Sequence, residues 1–513
     1  MRITATITLL FFFSISIQAQ EKTDWFNLSF TEGKTAGAEV NDALRLIGGR
    51  PLDTIIVAVI DDGVDIYHED FEGKIWTNSG EIPDNGVDDD GNGYIDDVHG
   101  WNYLGNPQGE NIKHETLELT RLFRKYNSQF EGRDAESIPK DETKAYEKYL
   151  SYKAAFEEEL KAIEAQFSEY AQLAALYDGA QSFYRSEAGK DTIDARDIAE
   201  WKPESQDGEQ VKSFLLLAER EGLSDYLEDG DEYFTAYLEY NLNVDFDPRP
   251  LVNEDELAVG YGNEMVWAED PSHGTHVAGI IAAVRSNDKG IDGIAPNAVI
   301  MPIRAVPGGD ERDKDIALAI RYAVDNGAKI INMSFGKGYS PQVELVFDAI
   351  AYAEKNDVLL IHAAGNDASD NDEVKNYPDG TIGKRKSAKT FITVAAGGFA
   401  VDDSYLADFS NYGKKSVDII APGVEINSLA PGDKTKSQSG TSMAAPVVSG
   451  VAALVWGLDP GMSAKKLKKL LLKSATELDE HSVIVNEEYS PLSEYLRNPG
   501  AVSALNAVSD LID

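Results

Sequence analysis

Cysteine is absent from this chain of 513 residues, which excludes disulfides, a catalytic thiol and a zinc–thiolate site. Basic residues are scarce beside acidic ones. Lys and Arg number 47 against 89 Asp and Glu, a formal net charge of −42. Such a surface repels nucleic acid and anionic membranes, so neither is an expected partner. Long apolar runs are also missing. Beyond the N-terminus no stretch reads as the about 20 apolar residues of a spanning helix. The run from Ile7 to Ile17, with Leu9-Leu10-Phe11-Phe12-Phe13 inside it, is too short to span. With Arg2 before it and Ala19 after it, residues 1–20 read as a signal peptide. Export is expected, to the periplasm or the exterior, and without a lipid anchor because no Cys lies near the cut.

What is present starts with Ser439-Gly440-Thr441-Ser442-Met443-Ala444-Ala445-Pro446, followed by an apolar helical run to Leu458. Small residues before such a run place the Ser442 hydroxyl at a helix N-terminus. Free N–H groups and the positive end of the helix dipole there can stabilise an oxyanion. Ile55–Ile60 is a β-branched run that fits a buried parallel strand ending at Asp61. Catalytic groups in open α/β sheets sit at the carboxyl ends of strands. His273 lies in His273-Gly274-Thr275-His276-Val277-Ala278-Gly279, which fits the first turn of a helix.

Asp, His and Ser follow one another in the chain order of the subtilisin triad. The segments Val59–Asp65, His273–Gly279 and Ser439–Pro446 resemble the aspartate, histidine and serine motifs of subtilisin-like serine proteases. Ala363-Ala364-Gly365-Asn366 is similar to the motif carrying that family's oxyanion asparagine. The resemblance covers roughly residues 50–105 and 258–475. It implies a serine endopeptidase acting through an acyl-enzyme, with Ser442 as nucleophile, His273 as base, Asp61 as its orienter and Asn366 as oxyanion donor. It also implies a peptide or protein substrate lying between Ser334-Phe335-Gly336 and Ala364-Gly365, with Asn376 at the floor. A histidine base sets an expected loss of activity below about pH 6–7. Family members carry a folded prodomain before the aspartate motif, which about 30 residues cannot build. A scaffold that binds peptides without cutting stays open as an alternative, as does an interaction protein whose insertion does the biological work.

Asp62 follows the triad aspartate where many members have Ser or Thr, and a role toward basic substrates stays open. His68 and His276 read as structural. From Asp88, oxygen groups fall at the calcium-loop positions of Asp88, Asp90, Asn92 and Asp96, with the Tyr94 carbonyl between the last two. Position 12 is His99 instead of Glu. The spacing points to a structural calcium ion, against an acidic turn that stays solvated.

Residues 107–256 change character, with Glu, Lys, Ala and Tyr replacing Gly. Tyr149, Lys153, Phe156, Leu160, Ile163, Phe167, Tyr170, Ala174 and Tyr177 alternate steps of 4 and 3, a coiled-coil-like seam. Tyr226, Tyr233, Tyr237, Tyr240 and Val244 repeat a similar stripe, with Gly179, Gly189, Pro203 and Gly208 between them reading as turns. This is a helical hairpin inserted between residues 21–106 and 257–513, which together make one catalytic domain. Its stripe reads first as an internal core; self-inhibition over the cleft or partner binding are the sharper alternatives. The expected fold is α/β, a subtilisin-like parallel sheet with helices on both faces, interrupted by that insertion.

Overall fold

The computed structural model describes residues 24–512 apart from 32–33, 191–192, 253–260, 384–385 and 487. The segment read as a signal peptide lies outside the described residues.

Among the described residues, nine strands form the main sheet. In chain order they are β1 (Ile55–Asp61), β2 (Trp101–Asn102), β3 (Ala298–Arg304), β4 (Ile330–Met333), β5 (Leu359–Ala363), β6 (Phe391–Gly397), β7 (Ile419–Pro422), β10 (Thr476–Glu477) and β11 (Gly500–Ala501). The spatial order is β10-β11-β7-β6-β5-β4-β1-β3-β2, parallel except for β10 on β11. A separate antiparallel hairpin, β8 (Ile426–Ala430) and β9 (Lys434–Gln438), leads into the Ser442 helix.

The continuous apolar run of β1 is explained by burial on both faces. Val57 and Val59 enter one core, and Ala58 and Ile60 the other. Helices α5 (Ser272–Ala282) and α8 (Thr441–Leu458) cover the first face. Helices α6 (Asp313–Asp325) and α7 (Val343–Lys355) cover the second. Each fully buried Val, Ile or Leu contributes about 1.5–3 kcal/mol. By length and composition α8 could cross a membrane, which the sequence reading did not anticipate, but 89% of it is buried inside the protein. It is a core helix. β1 lies between β3 and β4, so the strand order reverses there. The crevice at the carboxyl ends of such strands is where open sheets hold their sites.

The insertion emerges after β2. It consists of α1 (Glu118–Phe130), α2 (Thr143–Ala188), α3 (Gln206–Arg220) and α4 (Leu223–Thr235), with a one-turn helix over Ala195–Glu200 and a π-helical turn over Ala236–Asn241. The outgoing leg is a single helix of 46 residues, and the return is broken into several. Tyr149, Phe156, Ile163, Tyr170, Tyr177 and Tyr184 are buried at every seventh position. Phe167, from the same expected seam, is 40% exposed.

The second stripe falls differently from the sequence reading. Tyr226 and Tyr233 are 54% and 45% exposed, while their neighbours Leu227 and Phe234 are buried. Fully apolar side chains one position on take the inward face, because tyrosine keeps its hydroxyl wetted at less cost outside. Gly179 lies inside α2 and not in a turn. The roughly 1 kcal/mol cost of a mid-helix glycine is outweighed by burial of Tyr177, Ala180 and Tyr184 around it. Gly189 does end α2, at a positive φ of 64°. Gly208 belongs to the first turn of α3, where its N–H is capped by Ser205 Oγ at 3.0 Å.

The insertion is rooted beside the crevice. His114 bridges Gly308 in parallel, and Asn241 Nδ2 donates to the carbonyls of Glu115 and Gly308, both at 2.9 Å. Lys337 Nζ lies 3.2 Å from Glu118 Oε2 and 2.8 Å from Asp313 Oδ1, and donates to Glu311 O at 2.6 Å. Arg121 pairs with Glu118 at 2.7 Å. All these ionised side chains are nearly inaccessible to water.

Candidate active site

Asp61, His273 and Ser442 arrive at the crevice from three elements: the end of β1 and the first turns of α5 and α8. Asp61 is buried, and its Oδ1 lies 2.7 Å from His273 Nδ1. The same oxygen accepts the Asp62 N–H at 2.9 Å. Burial alone would lower the basicity of the imidazole. The Asp61 charge and hydrogen bond, with a further push from Asp62, outweigh that and raise the His273 pKa to about 9.

Ser442 Oγ donates to the Ser334 carbonyl at 3.1 Å, and Ser334 Oγ donates back to the Ser442 carbonyl at 2.8 Å. Among the described residues Ser442 makes no hydrogen bond to His273. Nucleophile–base contacts of this kind commonly tighten only when substrate is bound.

Asn366 faces the same helix start. Its Oδ1 accepts both the Thr441 N–H and the Thr441 Oγ1–H, each at 2.9 Å. Its amide nitrogen has no protein acceptor among the described residues and lies beside Gly440, 3.5 Å from where a Cβ there would sit. The Ser442 N–H is likewise one of the orphan donors of a helix N-terminus. Thr441 was not singled out in the sequence, although its place between Gly440 and Ser442 was in view. Nothing about a lone Thr tells which amide it will orient.

Two chain segments expected to flank a substrate meet here. Ser334, Phe335 and Gly336 follow β4, and Ala364 and Gly365 follow β5. A Cβ on Gly336 would sit 2.3 Å from Asn376 Oδ1. Asn376 Nδ2 in turn donates to Ala364 O at 2.7 Å. Gly365 adopts a φ of 105°, and a Cβ there would meet Asn411 Nδ2 at 2.4 Å. A Cβ at either position would force the neighbouring Asn376 or Asn411 amide to shift, and the positive φ of Gly365 adds backbone strain. His68 and His276 serve structure: His276 Nε2 bridges Ile426 O and Lys436 O, both at 3.0 Å, and burial pushes its pKa down to about 4.

In the acidic loop, a different set of carboxylates converges from the one spacing picked out. Glu81, Asp90 and Asp97 each offer an oxygen within 4.8 Å of the others. Asp88 accepts the N–H groups of Gly91, Asn92 and Gly93. Asp96 accepts those of Asn85 and Gly86. Asn92 Oδ1 caps the Tyr94 N–H at 2.8 Å, and its amide reaches Asp97 Oδ2 at 3.1 Å. Asp97 is fully buried, and burial raises its pKa to about 6. Glu81 precedes the acidic run and Asp97 fell between spaced positions, so spacing alone found neither.

The profile of the subtilase family matches residues 53–489. The cell wall-associated protease of Bacillus subtilis (strain 168) is 37% identical over 248 residues, 47% of this chain and 26% of that protein. The thermophilic serine proteinase of Bacillus sp. (strain AK1) is 42% identical over 187 residues, 36% of this chain and 42% of that one. The chain thus spans less than half the length of both curated relatives. A solved structure, that of the prenylagaramide maturation protease PagA, shares 32% identity over 47% of this chain and 82% of its own, with a TM-score of 0.39. With a profile spanning most of its length, the chain belongs to the subtilase family of serine proteases.

Proposed function

We propose that this chain is an exported serine endopeptidase that cleaves peptide bonds through Asp61, His273 and Ser442. The observation that carries the reading is the 2.7 Å contact between His273 Nδ1 and Asp61 Oδ1 at the strand end facing the Ser442 helix. His273 takes the Ser442 proton as Oγ attacks the scissile carbonyl, then returns it to the leaving amine. Asp61 fixes the tautomer and stabilises the imidazolium. The Asn366 amide and the Ser442 N–H donate to the oxyanion. An extended peptide lies along Ser334–Gly336, with Ala364, Gly365 and Asn376 below its side chain.

A fluorophosphonate probe should label the wild type and not Ser442→Ala. Equal labelling of both, or of neither, would falsify the assignment.

A calcium ion bracing the loop that follows β1 is part of the same reading. The donor set of Glu81, Asp90 and Asp97 is all carboxylate, with Glu81 and Asp97 buried, and fits a hard cation. Bound there, the ion would neutralise charges that otherwise repel. The insertion is read as governing access to the crevice, supported by its root at Gly308–Glu311 and by the ion pair of Asp229 on α4 with Lys436 on β9 at 3.6 Å. Limited proteolysis within the insertion should then raise peptide cleavage; unchanged cleavage would leave it a structural appendage.

A further inference from the structure

Asp62 spends its carboxylate on the helix that carries His273. Oδ2 accepts the His273 N–H at 3.1 Å and Oδ1 accepts the Gly274 N–H at 2.7 Å. Both are orphan donors at the start of α5, where a negative charge is favoured by the helix dipole. Gly274 permits the approach. A Cβ there would lie 2.0 Å from Gly63 O, 3.0 Å from Asp61 Cβ and 3.0 Å from Asp62 Oδ1. With one N–H on each oxygen, the carboxylate is turned to the helix.

We infer that Asp62 is a positioning residue for His273, its carboxylate gripping the first turn of α5 and keeping a negative charge at the start of the helix that carries the imidazole. The inference rests on the reading of His273 as the general base. The backbone contacts fix where the ring starts, and the charge acts on the imidazole through space. A serine or threonine at this position could cap the helix but could not supply the charge.

The charged groups facing Asp62 come from three elements. Asp61 precedes it on β1, and His273 stands across from it on α5. Arg304 ends β3, and the Glu269 charge also acts on its guanidinium. Arg304 is buried and held by Asn102 Oδ1 at 3.1 Å and Ile112 O at 2.7 Å, and its Nε has no partner among the described residues. Burial first, then the neighbouring Asp61 charge, push Asp62 up to about 7, against the pull of His273 and the two N–H donors. The Asp62 anion favours the imidazolium, so removing it must lower the His273 midpoint.

The test is an NMR titration of 15N-histidine-labelled protein, with the His273 signal assigned by its loss in His273→Ala. In the wild type the midpoint should lie well above the ordinary value of about 6.5. In Asp62→Asn and Asp62→Ser it should fall by about 0.5–1 pH unit, the effect of one nearby charge. Asp62→Glu, which keeps the charge, should stay near the wild type. A wild-type midpoint at or below about 6.5 overturns the inference without any variant. So does an unmoved midpoint in the folded Asn and Ser variants, because a purely structural cap lowers thermal stability and leaves the ring's titration alone. The titration needs no substrate. Failure of the protease reading would show separately, as no peptide cleavage beside an intact coupling.

Discussion

Thr441 holds one oxygen of Asn366 with two hydrogen bonds, from its backbone N–H and from its hydroxyl. A side-chain amide so gripped through its oxygen has one orientation, and its N–H2 group is the one proposed to donate to the oxyanion. Electrostatic stabilisation by donors that need no reorganisation is usually the largest catalytic contribution in acyl transfer. Asn366→Leu is therefore expected to lower kcat by about 10²–10³-fold, the range measured on subtilisin itself. Thr441→Val removes two neutral hydrogen bonds, the one donated to Asn366 Oδ1 and the one accepted from the Gly365 N–H; the bond to Asn366, worth about 1 kcal/mol, should by itself lower kcat by about fivefold. Steady-state kinetics on a peptide substrate check both. Equal kcat for wild type and Asn366→Leu would remove Asn366 from the oxyanion site.

The acid limb of kcat/KM should lie higher than the sequence alone places it. A general base works only when neutral, and the pair with Asp61 raises His273 to about 9. Activity should therefore climb with pH through the range between about 6.5 and 9. A pH–rate profile already flat from pH 6 upward would contradict this.

Chelation should lower the melting temperature, since removing a cation leaves Glu81, Asp90 and Asp97 in mutual repulsion. Calcium in excess should restore it. In Glu81→Gln/Asp97→Asn the difference between calcium and EDTA should vanish. Identical wild-type melting curves in EDTA and in calcium would argue for an acidic turn and no ion.

Lys337 is 5% exposed and links the rim segment after Ser334–Gly336 to Glu118 of the insertion. Burial by itself would lower its pKa, but the charges of Glu311, Glu118 and Asp313 outweigh that and hold it above the ordinary lysine value, so it stays charged. Lys337→Ala leaves Glu118 and Asp313 without this partner inside the protein, and should cost about 3–5 kcal/mol. Thermal or urea unfolding reads this as a large drop. The exposed pair Lys436–Asp229 offers the contrast. With side chains 51% and 68% exposed, its loss should leave stability within about 1 kcal/mol.

Local pattern was enough for a good part of the molecule. The β-branched run before Asp61 could only be a strand buried on two faces, and the small residues before an apolar helix fixed where Ser442 would stand. The sevenfold recurrence from Tyr149 to Tyr177 specified a long helix with one buried seam. These readings succeed because period and residue size are properties of neighbours along the chain.

Convergence across the chain was out of reach of that logic. Which tyrosines of the second stripe face outward depended on Leu227 and Phe234 competing for the face against α2. Which carboxylates meet in the acidic loop depended on Glu81 folding back onto the amides of Asp89, Asp90 and Asp96. The orientation of Asn366 depended on Thr441, 75 residues away. Composition, periodicity and motif order determined the fold class and named the candidate groups. Only the folded chain decided how those groups are aimed and charged, because hydrogen-bond direction and burial are set by atoms far apart in sequence.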